Sequence, residues 1–321
     1  MATSIDVIFS YRFLVVFVAV LFLAAGYFDV ANIHSAVHQH MALVQDKVSY
    51  FATGSQHNYH RQESAFDEVC RVQFVFAGAK YNYNQFPTLQ SWIRFADPTC
   101  PIEFLRTNHP FLGLLNIAEA RMFHELAFLP ILQADMLKLL AVYYLGGVVV
   151  DLDVEARKRF PQDWTGVDTP LASCDVVLGM EASCDTDECL KMFVRKGQIQ
   201  NWAMYSRRPQ SQFFGEMFDF IVAKYESMAP LNKGVSVQEV AGSGPITDFV
   251  QQYGNFSRPH YLVEISRNGG SLQSDTTNIM RIRKQHEEIC IVGRSYTGGG
   301  CAKQPQCLLF HHFEGSWRRP A

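Results

Sequence analysis

The chain has 321 residues, of which 48% are hydrophobic and 18% are charged, and its formal net charge is -3. This length and composition are typical of a globular protein with a large buried core, built as one large α/β domain or two small ones. The small negative charge and the lack of a long lysine and arginine run exclude a polybasic arm, so we expect no nucleic-acid partner.

The N-terminus carries a signal for the secretory pathway. Residues 13–28 read FLVVFVAVLFLAAGYF, without a charged residue. This segment predicts a transmembrane signal anchor over residues 13–30, with residues 1–12 as a cytoplasmic tail and the bulk of the chain in the secretory lumen. A cleaved signal peptide is the alternative, because Ala24 and Gly26 fit the small-residue cleavage pattern.

A polar segment with several histidines follows, at residues 31–67. Histidine-rich tracts can bind metal, but this one has little apolar periodicity, which favours a solvated stem. We therefore expect the lumenal domain to occupy residues 68–321.

The cysteines and a glycosylation sequon also suit the secretory lumen. The sequon begins at Asn255, and the eight cysteines are even in number, which favours disulfides over a zinc site. The sequence does not fix their connectivity. Cys301 with Cys307, and Cys184 with Cys189, are close enough in sequence to form local loops.

The elements of the domain follow in chain order. A strand is predicted from near Val69, in CRVQFVFAG, followed by a helix over residues 87–96 and a second strand over residues 102–107. Strand, helix, strand is the opening of a nucleotide-binding α/β layer. The stretch ILQADMLKLLAVYYL, residues 131–145, has a helical apolar stripe, and Gly146 follows where a left-handed cap is needed.

The stretch LGGVVVDLDV contains two closely spaced carboxylates. The β-branched residues 148–150 predict a buried strand, whose alternation puts Asp151 and Asp153 on one face and Leu152 on the other. At a strand's carboxyl end, such a pair suits magnesium or manganese bound to a diphosphate. A general acid/base pair and two solvated acids are the alternatives. The second D-x-D, residues 185–187, lies in a polar run without a preceding apolar strand.

The stretch ADMLKLLAVYYLGGVVVDLDVE resembles the D-x-D sugar-binding region of glycosyltransferase family 32, which includes the initiation-specific α-1,6-mannosyltransferases. Four later segments resemble landmarks of that family in the same order: VVLGMEA, QNWAMYSRRP, GSGPITD and HHFEGSW. The resemblance covers residues 70–318. It implies a GT-A type fold, a Rossmann-like mixed sheet flanked by helices, and metal-dependent, retaining transfer of a sugar from a nucleotide diphosphate.

The resemblance also implies roles for single residues. It assigns Asp135 to the donor sugar, and Asp151 and Asp153 to the metal on the diphosphate. Lys138 lies three residues after Asp135 on the same helical face, so we expect it at the donor. Related sequences usually carry arginine there, and a lysine lacks the planar fork that grips two oxygens at once.

The C-terminal segment HHFEGSW resembles a histidine-glycine element of GT-A enzymes. The resemblance implies that His312 is a third metal ligand, that Ser316 bonds a phosphate and that Trp317 closes over the donor. A neutral imidazole is a suitable ligand for manganese. The alternative for His312 is ordinary packing beside phenylalanines, and His311 is the less favoured ligand of the two.

Three residues are candidates for the acceptor side. Glu181 closes the strand VVLGME and could reach an acceptor hydroxyl, and Asn201 and Trp202 could line the same region. The alternatives are a solvated acid for Glu181 and a core residue on a helix for Trp202.

Together these features predict a single-pass type II Golgi membrane enzyme with a lumenal catalytic domain. The expected donor is GDP-mannose, the cofactor Mn²⁺ or Mg²⁺, and the acceptor a protein-linked glycan. Transfer of another sugar, such as galactose from UDP-galactose, and transfer to a glycolipid are alternatives. A catalytically inactive lumenal binding protein on the same scaffold is a third.

Overall fold

A computed structural model of the chain describes residues 68–76, 86–182, 186–255 and 279–314. These residues belong to one compact unit, Ala65–Ala321. The predicted tail, anchor and stem, residues 1–67, lie outside the described residues, as do Ser316 and Trp317. None of the described helices is both long enough and apolar enough to cross a bilayer.

Nine strands are described, and they form two sheets. Their bounds in chain order are β1 Val72–Val75, β2 Ile102–Leu105, β3 Gly147–Val150, β4 Val154–Ala156, β5 Val176–Ala182, β6 Gln198–Ser206, β7 Ile279–Arg283, β8 Glu288–Val292 and β9 Leu309–His311. Seven of them form one sheet in the order β2-β1-β3-β6-β5-β8-β7, and β4 pairs with β9 in a small second sheet.

The larger sheet is mixed. Strands β6 and β7 run antiparallel to their neighbours, and the other five strands share one direction. The carboxyl ends of β3 and β5 and the start of β6 therefore lie at the same edge. This arrangement, with helices on the sheet, confirms the predicted mixed α/β architecture.

Six α-helices are described in the same parts of the chain. Their bounds are α1 Phe86–Phe95, α2 Ile117–Glu125, α3 Pro130–Leu145, α4 Gln162–Thr165, α5 Gln212–Ser227 and α6 Ser243–Tyr253. Short 3-10 helices occupy Pro110–Leu114, Leu126–Phe128, Asp187–Lys191 and Val237–Glu239. The predicted helices before β2 and β3 are confirmed as α1 and α3.

The residues around α3 show why this helix begins and ends where it does. Pro130 stands at its first turn, where a missing backbone N–H costs nothing. Gly146 ends the helix with a φ of 66° and a ψ of -166°, so the predicted glycine with positive φ is present, but its conformation is not the left-handed helical cap that was predicted. Gly147 follows with a φ of 74°, and the chain then enters β3 at once.

The core lies on both faces of the larger sheet. Val149 packs into one hydrophobic cluster with α3, α5 and α6, whereas Val148 and Val150 pack into a second cluster with Trp92 of α1. A strand that is covered on both faces reads as a continuous apolar run, which explains the valine triplet.

Three disulfides connect described cysteines: Cys70 with Cys100, Cys174 with Cys290, and Cys301 with Cys307. The predicted local loop between Cys301 and Cys307 is confirmed. Cys189 is unpaired and partly exposed in the described part of the chain, and Cys184 lies outside it. Asn255 of the sequon is exposed directly after α6, where glycosylation would be accessible.

Candidate metal and sugar-donor site

The turn after β3 brings the two predicted carboxylates together. The strand ends at Val150, and the backbone N–H of Val154 donates to the carbonyl of Asp151 at 3.2 Å. Residues 151–154 therefore form a turn, and the predicted extended alternation over Asp151 and Asp153 is wrong. The turn nevertheless points both carboxylates toward the same place, at the carboxyl edge of the sheet.

A histidine completes the cluster. Ligand atoms of Asp151, Asp153 and His311 all lie within 4.8 Å of one another. Nε2 of His311 is 3.2 Å from Oδ1 of Asp153, and the backbone N–H of Glu314 donates to Oδ2 at 3.0 Å. Burial alone would raise the pKa of Asp153, but these partners outweigh it and hold the pKa below its ordinary value.

The histidine in the cluster is His311, whereas the resemblance implied His312. Nε2 of His312 contacts Oε2 of Glu155 at 3.1 Å, and the side chain is more exposed than that of His311. The pairing of β9 with β4 sets His311 opposite Val154, beside the turn. Neighbouring residues of an extended chain point to opposite sides, so only one of the two histidines can face the aspartates.

Helix α3 contributes a buried ion pair next to the cluster. Nζ of Lys138 lies 3.0 Å from Oδ1 of Asp135 and 2.8 Å from Oδ1 of Asp151. Asp135 and Lys138 thus lie on one face of the helix, as predicted. Lys138 also connects this face to Asp151 of the D-x-D. Both helical side chains are almost completely buried.

Burial shapes the titration of this pair. Burial, together with the charges of Asp151 and Glu181, raises the pKa of Asp135 to about 6 against the opposing charge of Lys138. Burial would lower the pKa of Lys138, but Asp151 and Asp135 outweigh it and raise the pKa, so the lysine stays protonated.

The charges and donor atoms of the cluster fit a divalent cation. The carboxylates of Asp135, Asp151 and Asp153 against the single ammonium of Lys138 leave two negative charges, which one divalent cation would balance. Two carboxylates and an imidazole suit Mn²⁺, whereas Mg²⁺ prefers oxygen ligands alone. Nδ1 of His311 is buried and has no hydrogen-bond partner in the described part of the chain, so this ring nitrogen is also open to a bound group.

Trp202 supports the histidine. It lies in β6, where a helix was the predicted setting, and it is 1% exposed. Its ring stacks on His311 with centroids 4.6 Å apart and planes inclined by 25°. The backbone N–H of Asp151 donates to its carbonyl at 2.9 Å. Trp202 is thus a core residue that fixes both the ring of His311 and the start of the turn.

A second polar group lies at the same edge of the sheet. Glu181 near the end of β5 and Asn201 near the start of β6 both contact the hydroxyl of Ser243, at 2.8 and 3.4 Å. Gln198 also donates to Glu181. Gln198 and Ser243 were not among the predicted site residues, although a glutamine in an apolar strand and a serine at a helix start were signals for both.

The second D-x-D has a different setting. Asp187 begins a short 3-10 helix, is exposed, and pairs with Lys196 at 2.5 Å. It belongs to none of the groups of potential metal ligands found among the described residues. Asp185 lies outside the described residues.

Comparison with known proteins finds a curated relative. No family model matches the sequence. The chain is 23% identical over 203 residues to an initiation-specific alpha-1,6-mannosyltransferase of Schizosaccharomyces pombe, and the alignment covers 59% of this chain and 48% of that protein. The chain therefore spans about half the length of the curated relative it matches.

Two solved structures resemble the fold at a distance. The PaToxG glycosyltransferase superposes with a TM-score of 0.39 at 12% identity, over 70% of this chain and 80% of that one. A cysteine-to-serine mutant of a transferase gives a TM-score of 0.34 at 10% identity, over 61% of this chain and 88% of that one. Neither superposition is close enough to transfer a residue role.

Proposed function

We propose that the chain is a metal-dependent glycosyltransferase of the GT-A type, related to glycosyltransferase family 32, that transfers a sugar from a nucleotide diphosphate with retention. The observation that carries the proposal is the convergence of Asp151, Asp153 and His311 beside the buried pair of Asp135 and Lys138. The similarity to a mannosyltransferase supports the same class of reaction.

The cluster offers a division of roles. Asp151, Asp153 and His311 would hold Mn²⁺. Mg²⁺ could bind at the same place, but it would coordinate the histidine more weakly. The bound ion would neutralise charge on the departing diphosphate. Lys138 orients Asp151 and Asp135 through its two ion pairs, and Asp135 offers a carboxylate to sugar hydroxyls. Four of these groups are buried and Asp151 is held by its ion pair with Lys138, so little reorganisation is needed during the reaction.

The finer assignments rest on the relative and on the sequence. GDP-mannose is the proposed donor and a protein-linked glycan the proposed acceptor, because the matched relative is named as an α-1,6-mannosyltransferase. UDP-galactose and a glycolipid acceptor are the competing substrates. A panel of nucleotide sugars, each incubated with the protein and manganese and assayed for release of the nucleotide diphosphate, would identify the donor.

We also propose a lumenal Golgi location with a type II anchor at residues 13–30. The disulfides and the exposed Asn255 suit an oxidising, glycosylating compartment. An anchored protein stays with membranes after alkaline carbonate washing and keeps its N-terminus. A mature N-terminus near Tyr27 would instead show a cleaved signal peptide.

Substitution of the two D-x-D motifs tests the proposed site. Asp151→Asn should lower manganese-dependent turnover of the donor on the order of 10²- to 10³-fold, because it removes a metal ligand and a partner of Lys138. Asp187→Asn is the matched control, since it changes an exposed aspartate of the same motif outside the cluster. The measurement is steady-state donor turnover with manganese.

Two results would contradict this assignment. Equal losses in Asp151→Asn and Asp187→Asn would mean that the cluster around Asp151 is not the site. Manganese-independent binding of nucleotide sugar without turnover in the wild-type protein would favour the inactive binding protein.

A further inference from the structure

Two neighbouring strands each present one polar residue at the edge of the site. Glu181 is the only residue of β5 that is not buried, and Asn201 is the only such residue of β6. Both strands are otherwise covered, so these two side chains are the places where solvent reaches β5 and β6.

The backbone of β5 is irregular on both sides of the residue before Glu181. The pairing of β5 with β6 shifts register on both sides of Met180, and such bulges redirect side chains beside active sites. Gly179 lies in this irregular stretch, and a Cβ there would collide with the side chains of Thr297 and Gln200.

Hydrogen bonds then fix one carboxylate oxygen and leave the other available. Oε2 of Glu181 accepts from Nε2 of Gln198 at 2.6 Å and from the hydroxyl of Ser243 at 2.8 Å. Oε1 has no hydrogen-bond partner among the described residues. An ionised carboxylate only accepts hydrogen bonds, so the ligand that suits Oε1 is a donor such as a hydroxyl group.

Glu181 also lies close to the donor side. The carboxyl end of β5 and the turn after β3 share one edge of the sheet, with β6 between the two strands. The charge of Asp135 interacts with those of both Asp151 and Glu181. The metal-binding cluster and the carboxylate of Glu181 therefore lie at one edge of the sheet, and Asp135 interacts electrostatically with both.

We infer that Glu181 binds the attacking hydroxyl of the acceptor sugar and receives its proton, a role that rests on the proposed glycosyltransferase function. The acceptor oxygen forms a bond to the anomeric carbon of the donor sugar on the face that the diphosphate leaves, so that the single displacement retains the anomeric configuration. The bond from that carbon to the diphosphate oxygen breaks, and its electron pair leaves with the diphosphate. The acceptor proton passes to Oε1 of Glu181.

Glu181→Gln is the decisive variant, because an amide oxygen can still accept from Gln198 and Ser243 while the carboxylate charge is lost. We expect transfer from GDP-mannose to methyl α-D-mannopyranoside to fall on the order of 100-fold in kcat, the scale of general base catalysis. Calorimetry should give an unchanged Kd for GDP-mannose with manganese. Glu155→Gln is the matched control, since Glu155 is also partly exposed but contacts His312 and Arg157 instead.

The outcomes separate this inference from the proposed function. Retained transfer in Glu181→Gln would overturn the role of Glu181, and so would a parallel loss of GDP-mannose binding, which indicates a donor or folding role. A wild-type protein that binds no GDP-mannose with manganese would instead remove the proposed function, and this inference with it. A loss of transfer in Glu155→Gln of the same size would show that the effect is not specific to Glu181.

Discussion

Three charged side chains, Asp135, Lys138 and Asp151, compensate one another at the centre of the candidate site. Burying an isolated charge is costly, so a buried lysine is stable only with close partners. Lys138 has two of them, at 3.0 and 2.8 Å. The lysine therefore keeps a fixed positive charge next to the D-x-D, although it offers fewer directed hydrogen bonds than an arginine would.

At the residue scale, the two adjacent histidines give a direct comparison. His311→Ala should weaken Mn²⁺ binding by more than about 10-fold, because it removes a buried potential ligand of the cluster. His312→Ala should leave Mn²⁺ affinity nearly unchanged, since this side chain contacts Glu155. Electron paramagnetic resonance of free Mn²⁺ in a titration would measure both affinities.

Each outcome of that comparison assigns a ligand. A greater loss in His312→Ala would restore the role that the resemblance implied for this residue. Equal and small losses would leave the two aspartates as the metal ligands and make His311 a packed neighbour of Trp202. Thermal unfolding of both variants controls for a loss of fold.

The pKa of Asp135 predicts a pH dependence of stability. Its ordinary value is 3.8 and burial raises it to about 6, so the folded state holds a proton through a window in which the unfolded state has lost it. From this group, the free energy of unfolding should fall by about 1 to 3 kcal/mol as pH rises from about 4 to about 6. Asp135→Asn should remove this part of the slope, as measured by urea unfolding across the window. The same slope in variant and wild type would contradict the raised pKa.

At the scale of elements, the sequence predicts regular segments better than the turns between them. The valine triplet and the helix over residues 131–145 are recognisable because their periodicity is local. The turn at residues 151–154 is not, since it depends on contacts of Asp151 with Trp202 and of Thr88 with Leu152 from distant parts of the chain. The carboxylates converge as predicted, but through a turn and not a strand.

The identity of the histidine could not be predicted for a related reason. His311 and His312 are adjacent, so the choice between them depends on which one the register of β9 against β4 turns toward Asp153. Register between strands that are far apart in sequence is fixed by the whole fold. The hydrogen bonds that orient Glu181 likewise come from β6 and α6, and no local pattern relates these elements.

The connection between α3 and β3 should tolerate no side chain at its second glycine. A Cβ at Gly147 would lie 2.5 Å from the carbonyl oxygen of Arg71, and the φ of 74° already disfavours other residues. Gly147→Ala should lower the free energy of unfolding by about 2 to 5 kcal/mol, from left-handed strain and a backbone clash. Gly113→Ala is the control, because nothing lies within 4 Å of a Cβ there. Urea unfolding that gives equal stabilities for the two variants would contradict this account.

At the scale of the whole molecule, one sheet edge carries both halves of the candidate site. The metal-binding half comes from α3, the turn after β3, and β9, and the proposed acceptor half comes from β5, β6 and the start of α6. The two sets are distant in sequence, and β6, hydrogen-bonded to β3 on one side and to β5 on the other, joins them. The relative position of the two halves therefore depends on the integrity of the central strands.

The disulfide between Cys174 and Cys290 closes the longest of the described covalent loops. It spans 116 residues and encloses β5, β6, α5 and α6, whereas the bond between Cys301 and Cys307 spans 6. The loss of unfolded-state entropy grows with loop length, so the long loop should contribute about 4 to 5 kcal/mol and the short one about 2.

Paired substitutions measure this difference. The double variant Cys174→Ala, Cys290→Ala should lose more free energy of unfolding in urea than Cys301→Ala, Cys307→Ala. All four cysteines are buried, so a cavity left by the removed sulfur atoms adds to the loss in both variants and the difference between them reports the loop length. Glu181 and Ser243 lie inside this loop, whereas Asp151 and Asp153 lie outside it. Loss of the disulfide should therefore disturb the proposed acceptor half more than the metal-binding half. We expect manganese binding to survive in a folded long-loop variant while transfer to an acceptor falls. A variant that loses manganese binding first would show that the two halves depend on the disulfide together.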